Sequence, residues 1–254
     1  MTKSFVLSKF DDIFDIFATQ YKRTQSNSLT VFDDGLSDGI KSKFSEFTYI
    51  PSEKDNDGNF FISKTINNGL DLLAPHDILF YCDDCYIETP ELHRELEIIA
   101  YQEQAAGLIA PATSNVYCCF QMEAWNKTLA DGYHLDLCRH PTYIVLPLTD
   151  NRATQVYSGY IDVSAVCFFL KREVINKVGK WDEGFIGAAD YPDLDYSIRI
   201  RQNGYHHIVA TNCFVEHGGK HFPCMDRNTR RRIKTDNSAY LYNKEYFDQK
   251  WKSS

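Results

Sequence analysis

Residues 77–84 read DILFYCDD, an apolar run typical of a buried strand that ends on two carboxylates, Asp83 and Asp84. Further along the chain, residues 181–219 (WDEGFIGAADYPDLDYSIRIRQNGYHHIVATNCFVEHGG) supply more acids, a short helix and a strand that ends on His217. Carboxylates at the end of a buried parallel strand lie where α/β folds bind ligands, beyond the carboxyl edge of the sheet. Together the two stretches indicate a metal ion that holds a nucleotide diphosphate.

Strands and amphipathic helices alternate on both sides of residues 77–84. This alternation predicts an α/β fold with βαβ crossovers and a Rossmann-like, mostly parallel sheet covered by helices on both faces. The predicted strands are Ser4–Leu7, Ser28–Phe32, Phe47–Ile50, Asp77–Cys82, Gly107–Ala110, Ile161–Leu170, His207–Ala210 and Cys213–Glu216. The predicted helices are Ile13–Tyr21, Phe60–Leu73, a helix capped by Thr89 that runs through Gln104 with Pro90 at its first position, and Asp193–Asn203.

Size and charge narrow the class of protein. The chain has 254 residues, of which 43% are hydrophobic, and we predict a single domain over residues 1–254. The net charge of −8 creates no overall field that attracts nucleic acid or an anionic membrane. The one basic cluster, Arg227 with Arg230, Arg231 and Arg232, is either a solvated helix face or a contact for phosphate oxygens.

The chain shows no apolar run of membrane-spanning length and no signal-peptide layout, so we expect no integral membrane segment and a cytoplasmic location. Its eight cysteines are typical of thiols in a reducing compartment. Cys82 with Cys85, and His217 with His221, have the spacing of zinc ligand pairs. The two pairs are too far apart for a compact zinc finger, so we do not expect a structural zinc.

Three short motifs each have a structural and a functional interpretation. Asp33, followed by Asp34 and Gly35, either shapes a turn or accepts hydrogen bonds from a nucleobase or ribose. Asp83 and Asp84 are either solvated turn residues or oxygen ligands for Mg²⁺ or Mn²⁺, which take one or two carboxylates plus substrate phosphates. His217 is either structural or a further ligand, and the two glycines after it leave room for a phosphate.

Several segments resemble family 2 glycosyltransferases of the GT-A fold, in particular rhamnosyltransferase-like members. The similarity covers nearly the whole chain in the family's order. It is carried by residues 31–35 (VFDDG), 62–70 (ISKTINNGL), 77–84, 163–185 (VSAVCFFLKREVINKVGKWDEGF), 190–206 (DYPDLDYSIRIRQNGYH), 214–219 (FVEHGG) and 243–251 (NKEYFDQKW).

The resemblance implies a nucleotide-binding half, residues 1–112, and an acceptor half with a C-terminal helix, residues 113–254. It implies that Mn²⁺ or Mg²⁺ is the cofactor and that Asp193 is the base that deprotonates the acceptor. Its other implied roles are contact with the base (Asp33), contact with the nucleotide (Lys64, Asn67 and Asp83), metal binding (Asp84 and His217) and a border of the sugar and acceptor pocket (Trp181 and Asp182).

The chain departs from the family pattern at three positions. Cys82 replaces the first acid of the metal-binding motif, where Asp83 can compensate, and Ile66 replaces an arginine beside the nucleotide. Pro192 replaces the glutamate before the base, so Asp190 and Asp195 are alternative bases.

The sequence thus predicts an inverting, metal-dependent glycosyltransferase that moves a sugar from a UDP- or dTDP-sugar to an acceptor hydroxyl, with a glycan as the expected acceptor. A glycosyltransferase that acts on modified DNA bases, and an inactive domain that only binds nucleotide sugars, are the alternatives. A nucleotidyltransferase should carry a glycine-rich loop after the first strand, whereas Ser8 to Asp11 contains no glycine. The irregular segment 113–160 has no assigned role.

Overall fold

The structure is a computed structural model that describes residues 2–54, 60–114, 139–140, 143–146, 166–187, 191–222 and 237–251. The arginine cluster (Arg227, Arg230, Arg231 and Arg232), Asp190 and most of the segment 113–160 lie outside these residues. Within them, the predicted alternation of strands and helices is confirmed. In the part of the chain that is described, no helix is both long enough and apolar enough to cross a membrane.

The strands and helices follow one another as the alternation predicts. The strands are β1 (Lys3–Ser8), β2 (Leu29–Asp33), β3 (Thr48–Pro51), β4 (Ile78–Cys82), β5 (Cys85–Ile87), β6 (Ala106–Thr113), β7 (Arg139–His140), β8 (Tyr143–Leu146), β9 (Cys167–Leu170) and β10 (His206–His217). The helices are α1 (Asp11–Thr24), α2 (Asp38–Lys43), α3 (Ile62–Leu72), α4 (Leu92–Gln102), α5 (Arg172–Val178), α6 (Pro192–Gln202) and α7 (Asn237–Trp251).

One mixed, mostly parallel sheet organises the molecule, with strand order β3-β2-β1-β4-β9-β6-β10-β8-β7 and β5 paired to β10. The chain runs outward from β1 through β2 to β3, and then returns to place β4 on the other side of β1. This reversal creates a crevice between the carboxyl ends of β1 and β4, the position at which open α/β sheets bind ligands.

Apolar side chains cover both faces of the sheet. On one face, Phe17 and Tyr21 of α1 pack edge-to-face against Tyr81 of β4. On the other face, Ile66 and Leu70 of α3 pack in a cluster with Phe5 and Phe80. Strands buried on both sides explain the near-continuous apolar runs in the sequence. A third, smaller cluster lies beside α7 and contains Phe185, Tyr191, Leu194, Ile198 and Phe247.

Two details differ from the prediction, and a third was not predicted. Thr89 does not cap α4, because its hydroxyl accepts a hydrogen bond from the Phe214 amide at 2.7 Å and so holds β10. The two strands predicted between His207 and Glu216 form one strand, β10, with a register shift after Ala210. Strand β9 runs antiparallel between β4 and β6, a direction that the sequence does not assign, within the mostly parallel sheet that the sequence predicts.

Candidate functional site

Asp84 and His217, the two predicted metal ligands, lie side by side. Asp84 follows β4, and His217 is the last residue of β10, to which the short strand β5 is paired. The Asp84 Oδ2 atom is 3.1 Å from His217 Nε2, and the two side chains remain 17% and 23% exposed. The Gly218 amide donates to the Asp84 carbonyl at 2.8 Å, and this hydrogen bond joins the turn after β4 to the end of β10. The fold therefore joins the two strand ends that the sequence singles out.

The chemistry of this pair fits Mn²⁺ or Mg²⁺. A carboxylate suits both ions, and an imidazole ligand favours the softer Mn²⁺. Within the described residues, no group of three or more His, Cys, Asp or Glu side chains could hold a metal ion. Two protein ligands are nevertheless the usual number for a hard cation whose shell is completed by substrate phosphates and water. The residues present therefore fit a metal that binds together with a diphosphate.

The cysteine beside this pair does not extend it into a zinc site. Cys85 lies opposite His217 in the β5–β10 register, but its sulfur is fully buried and contacts the Val166 carbonyl at 3.3 Å. Burial raises the pKa of the Cys85 thiol well above its usual range, and the charge of Asp84 adds to this effect. A cysteine binds zinc as the thiolate, so burial of the thiol disfavours Cys85 as a zinc ligand.

Asp83 joins the ends of β4 and β1 across the crevice. Its Oδ2 accepts hydrogen bonds from Ser8 Oγ at 2.6 Å and from the Lys9 amide at 3.4 Å. Desolvation and the neighbouring charge of Asp84 raise the pKa of Asp83 to about 7, although the contacts with Ser8 and Lys9 act in the opposite direction. Two adjacent carboxylates that repel each other in this way favour a bound cation.

Asp33 shapes the turn after β2. Its Oδ1 accepts from the amides of Gly35 at 2.8 Å and Leu36 at 2.6 Å, and Lys41 Nζ lies 2.9 Å from Oδ2. Desolvation raises the pKa of Asp33, but the hydrogen bonds from Lys41 and from the two amides outweigh it, so the pKa is lowered. The contacts of Asp33 are thus those of a residue that shapes a turn. Asp33 also lies at the same edge of the sheet as Asp83.

The sequence does not predict the residues that contact Asp34. This carboxylate is only 4% exposed, forms ion pairs with Lys9 at 3.2 Å and with Lys54, and accepts from Ser52 Oγ at 3.1 Å. Ser8 was not predicted either. Both Ser8 and Lys9 stand at the carboxyl end of a predicted strand, so their position alone could have identified them.

The residues predicted to lie beside the nucleotide and the sugar divide into exposed and buried ones. Lys64 is 46% exposed on α3 and pairs with Glu53 at 3.2 Å. Asn67 is buried, and its amide accepts from the Trp181 amide at 2.8 Å and donates to the Trp181 carbonyl at 2.9 Å. The Trp181 ring is 3% exposed and stacks on Tyr196 at 5.2 Å. Asn67 and Trp181 therefore contact each other and support the loop 181–187 from inside.

Asp182 lies under α7. Its Oδ2 accepts from Lys250 Nζ at 2.5 Å and from the Tyr246 hydroxyl at 3.1 Å, and its Oδ1 accepts from the Gly184 amide at 2.8 Å. Desolvation raises the pKa of Asp182, but the hydrogen bond from Lys250 and the other contacts outweigh it and lower the pKa.

Asp193 is the second residue of α6, directly after Pro192 at the first helical position. Proline is favoured there, so the departure from the family pattern is compatible with a helix that begins at this point. Desolvation of Cys82 is the main cause of its raised thiol pKa, and the charges of Asp84, Asp83 and Asp193 add to it. The charge of Asp193 therefore acts on the thiol at the end of β4.

The alternative bases differ from Asp193 in their surroundings. Asp195 is fully buried, and its carboxylate contacts Arg199 Nε at 2.9 Å, Lys250 Nζ at 2.7 Å and Trp251 Nε1 at 3.0 Å. A carboxylate enclosed in this way cannot reach an acceptor hydroxyl, which disfavours Asp195. Asp190 lies outside the described residues.

Glu216 and His221 contact each other next to the Asp84–His217 pair. The His221 Nδ1 atom lies 3.2 Å from Glu216 Oε2, and the His221 ring stacks on Tyr86 with 3.7 Å between ring centroids. A Cβ atom at Gly219 would overlap the Glu216 carboxylate. This glycine therefore makes room for Glu216, and its predicted role of admitting a phosphate is untested.

No protein-family model and no curated protein sequence matches the chain. Solved structures do. S. aureus TarS 1–349 aligns with a TM-score of 0.54 at 13% identity, over 85% of this chain and 60% of that one, and its complex with UDP gives 0.54 at 14% over the same shares. GalNAc-T7 with UDP, GalNAc and Mn²⁺ gives 0.57 at 10%, over 85% of this chain and 44% of that one.

These neighbours are glycosyltransferases of the GT-A fold. The chain has the GT-A fold. The identities are low, and the chain spans less than two thirds of the length of these structures. The likeness therefore shows the architecture, and the GT-A sheet places the crevice between β1 and β4 and the Asp84–His217 pair at one edge.

Proposed function

We propose that this chain is an inverting, metal-dependent glycosyltransferase that uses a nucleotide-diphosphate sugar. The observation that carries the proposal is the contact of Asp84 with His217, 3.1 Å apart, at the carboxyl edge of a GT-A sheet. Structural neighbours bind UDP in one case and UDP, GalNAc and Mn²⁺ in another. We extend this donor chemistry to the present chain, with a UDP- or dTDP-sugar as the donor.

The donor would occupy the crevice beyond β1, β2 and β4. In this arrangement, Ser8, Lys9, Asp33, Asp83 and Lys64 border the nucleotide. Asp84 and His217 would hold Mn²⁺ or Mg²⁺, which neutralises the charge of the leaving diphosphate. Asn67, Trp181 and Asp182 then contribute indirectly, because their side chains fix the loop 181–187 at the border of the sugar.

Asp193 is the proposed base. It removes the proton from the acceptor hydroxyl while that oxygen attacks the anomeric carbon from the face opposite the diphosphate, and this single displacement inverts the carbon. The carboxylate stands at the N-terminus of α6, where the helix dipole favours the ionised form that a base requires.

The expected acceptor is a glycan hydroxyl. Cytoplasmic action remains part of the proposal, and the four cysteines in the described ranges, which form no disulfide, are compatible with a reducing compartment. An inactive domain would bind the nucleotide without turning over a donor. Measuring both nucleotide binding and the release of UDP from a UDP-sugar therefore separates an active transferase from an inactive domain.

Calorimetry of UDP and dTDP with Mn²⁺, with Mg²⁺ and with EDTA tests the proposal. We expect binding that depends on the metal, and Asp84→Ala should lower the affinity at least about tenfold, which corresponds to about 1.4 kcal/mol. Asp71→Ala is a matched control, because Asp71 is a 60% exposed acid that pairs with Lys180 on the surface. Equal affinity for the nucleotide with Mn²⁺ and with EDTA would contradict the proposed metal dependence. Nucleotide binding without release of UDP from any UDP-sugar would indicate an inactive domain.

A further inference from the structure

The loop 181–187 is held at its two ends by two buried asparagines. Asn67 of α3 contacts both the amide and the carbonyl of Trp181, at 2.8 and 2.9 Å. Asn243 of α7 makes the same pair of contacts with Ile186, at 2.9 and 3.0 Å. Asn243 has no exposed surface. Helix α7 therefore holds one end of this loop, as α3 holds the other.

Lys250 of α7 links this loop to the helix that carries the proposed base. Its Nζ lies 2.5 Å from Asp182 in the loop and 2.7 Å from Asp195 in α6. Asp195 is fully buried, two residues after Asp193. One ammonium between two carboxylates sets their separation, because each carboxylate is attracted to the ammonium and repels the other.

Helix α7 also contacts Tyr191, which lies two positions before Asp193. The Tyr191 ring packs at 5.3 Å from Phe247 and 5.7 Å from Tyr240, and the two tyrosine hydroxyls lie 3.4 Å apart. Tyr191 has a φ of 91°, which is uncommon for a residue other than glycine and persists only where surrounding contacts impose it. The first turn of α6 is thus restrained by α7 both before and after Asp193.

We propose that Lys250 is a positioning residue for the transfer step: it fixes the first turn of α6, and with it Asp193, relative to the loop 181–187. This role rests on the proposed function. Removal of the ammonium takes away the cation that Asp182 and Asp195 share, although Asp195 keeps its contact with Arg199. The ionic link between the loop and α6 is then lost, and the repulsion between the two carboxylates favours a larger separation. A displacement of about 1 Å far from the reacting atoms can reduce a rate about 10²-fold. No contact described for Lys250 involves Asp84, His217 or Ser8, so nucleotide binding should survive.

The test compares Lys250→Met with two other variants. Lys244→Met is the matched control, because Lys244 is a more exposed lysine of the same helix and pairs with Asp248 one turn later. Lys250→Arg retains the positive charge and should recover most of the activity. The readouts are kcat and KM for release of UDP from a UDP-sugar, the affinity for UDP with Mn²⁺, and amide hydrogen exchange.

For Lys250→Met we expect kcat to fall about 10²-fold, with UDP affinity unchanged within about twofold and faster exchange confined to residues 181–187 and 191–202. Lys244→Met should match the wild type. A wild-type kcat in Lys250→Met, unchanged exchange, or an equal loss of UDP affinity would overturn the positioning role while leaving the proposed function intact. A wild-type protein that neither binds UDP with Mn²⁺ nor turns over a UDP-sugar would overturn the proposed function, and the positioning role with it.

Discussion

Asp193 and Asp195 stand two positions apart on α6, yet their carboxylates have opposite surroundings. Asp195 is enclosed by Arg199, Lys250 and Trp251, whereas Asp193 is partly exposed at the start of the helix. A general base needs access to its proton donor and an ionised resting state. Of these two carboxylates, only that of Asp193 combines access with the favourable end of the helix dipole.

Asparagine substitution separates a base from a structural carboxylate. Asp193→Asn keeps the shape of the side chain, so UDP binding should be unchanged while transfer falls by about 10²–10⁴, the usual contribution of a positioned base. Asp195→Asn should instead lower the free energy of unfolding by roughly 1–3 kcal/mol, because it removes the charged partner of Arg199 and one of the two carboxylates that contact Lys250. Single-turnover rates and urea unfolding measure the two effects. Full transfer by Asp193→Asn, with loss in a folded Asp195→Asn, would show that the roles are exchanged.

At the residue scale, the sequence predicts positions better than contacts. The sequence predicts Asp84 and His217 at the carboxyl ends of strands, where α/β sheets bind ligands, and the family resemblance names both as metal ligands. The partners of Asn67 could not be predicted, since an asparagine beside a nucleotide and an asparagine that holds a buried loop look the same in a sequence. Only the packing of α3 against Trp181 distinguishes them.

At the scale of elements, helix α3 must approach the sheet closely, and Gly69 is the point of contact. A Cβ atom at this position would lie 3.1 Å from the Phe32 ring and 3.2 Å from the Phe5 ring. Neither ring has exposed surface, and Phe5 also packs edge-to-face against Phe80 at 5.1 Å. An added Cβ atom would therefore have to displace one of two buried rings.

Two glycine-to-alanine substitutions test this contact. Alanine improves helix propensity by about 1 kcal/mol, whereas overpacking a well-packed core costs about 1–3 kcal/mol. Gly69→Ala should therefore be neutral to destabilising by up to about 2 kcal/mol. Gly39→Ala, in the exposed helix α2, meets only Ser37 Oγ at 3.7 Å and should be stabilising. Urea midpoints at constant m-value measure both. Equal stabilisation of the two variants would mean that α3 packs less closely than described.

The sequence predicts most elements because their periods are strong, and it fails where tertiary contacts compete with local signals. Thr89 and Pro90 have the pattern of a helix start, but β10 takes the Thr89 hydroxyl, and α4 begins only after Glu91 in a left-handed conformation. The antiparallel direction of β9 has no local signal, because a buried strand has the same apolar composition in either direction.

At the scale of the whole molecule, charge decides which ligands can approach the site. The carboxylates of Asp33, Asp34, Asp83 and Asp84 gather at one edge of the sheet, where Lys9, Lys41 and Lys54 balance mainly the first two. A diphosphate would meet net negative charge beside Asp84. This distribution is the physical reason to expect that donor binding requires a divalent cation.

The same charge distribution bears on the acceptor. A net charge of −8 disfavours DNA, and the arginines at 227 and 230–232 are the main basic cluster that could oppose this. We expect no binding of a duplex with hydroxylated bases at about 0.15 M salt, measured by fluorescence anisotropy. Binding that weakens steeply with salt, by a slope of about −0.9 for each neutralised phosphate, would contradict a glycan acceptor. In that event, replacing Arg230, Arg231 and Arg232 by alanine should reduce the slope by up to about three, while UDP binding with Mn²⁺ stays unchanged.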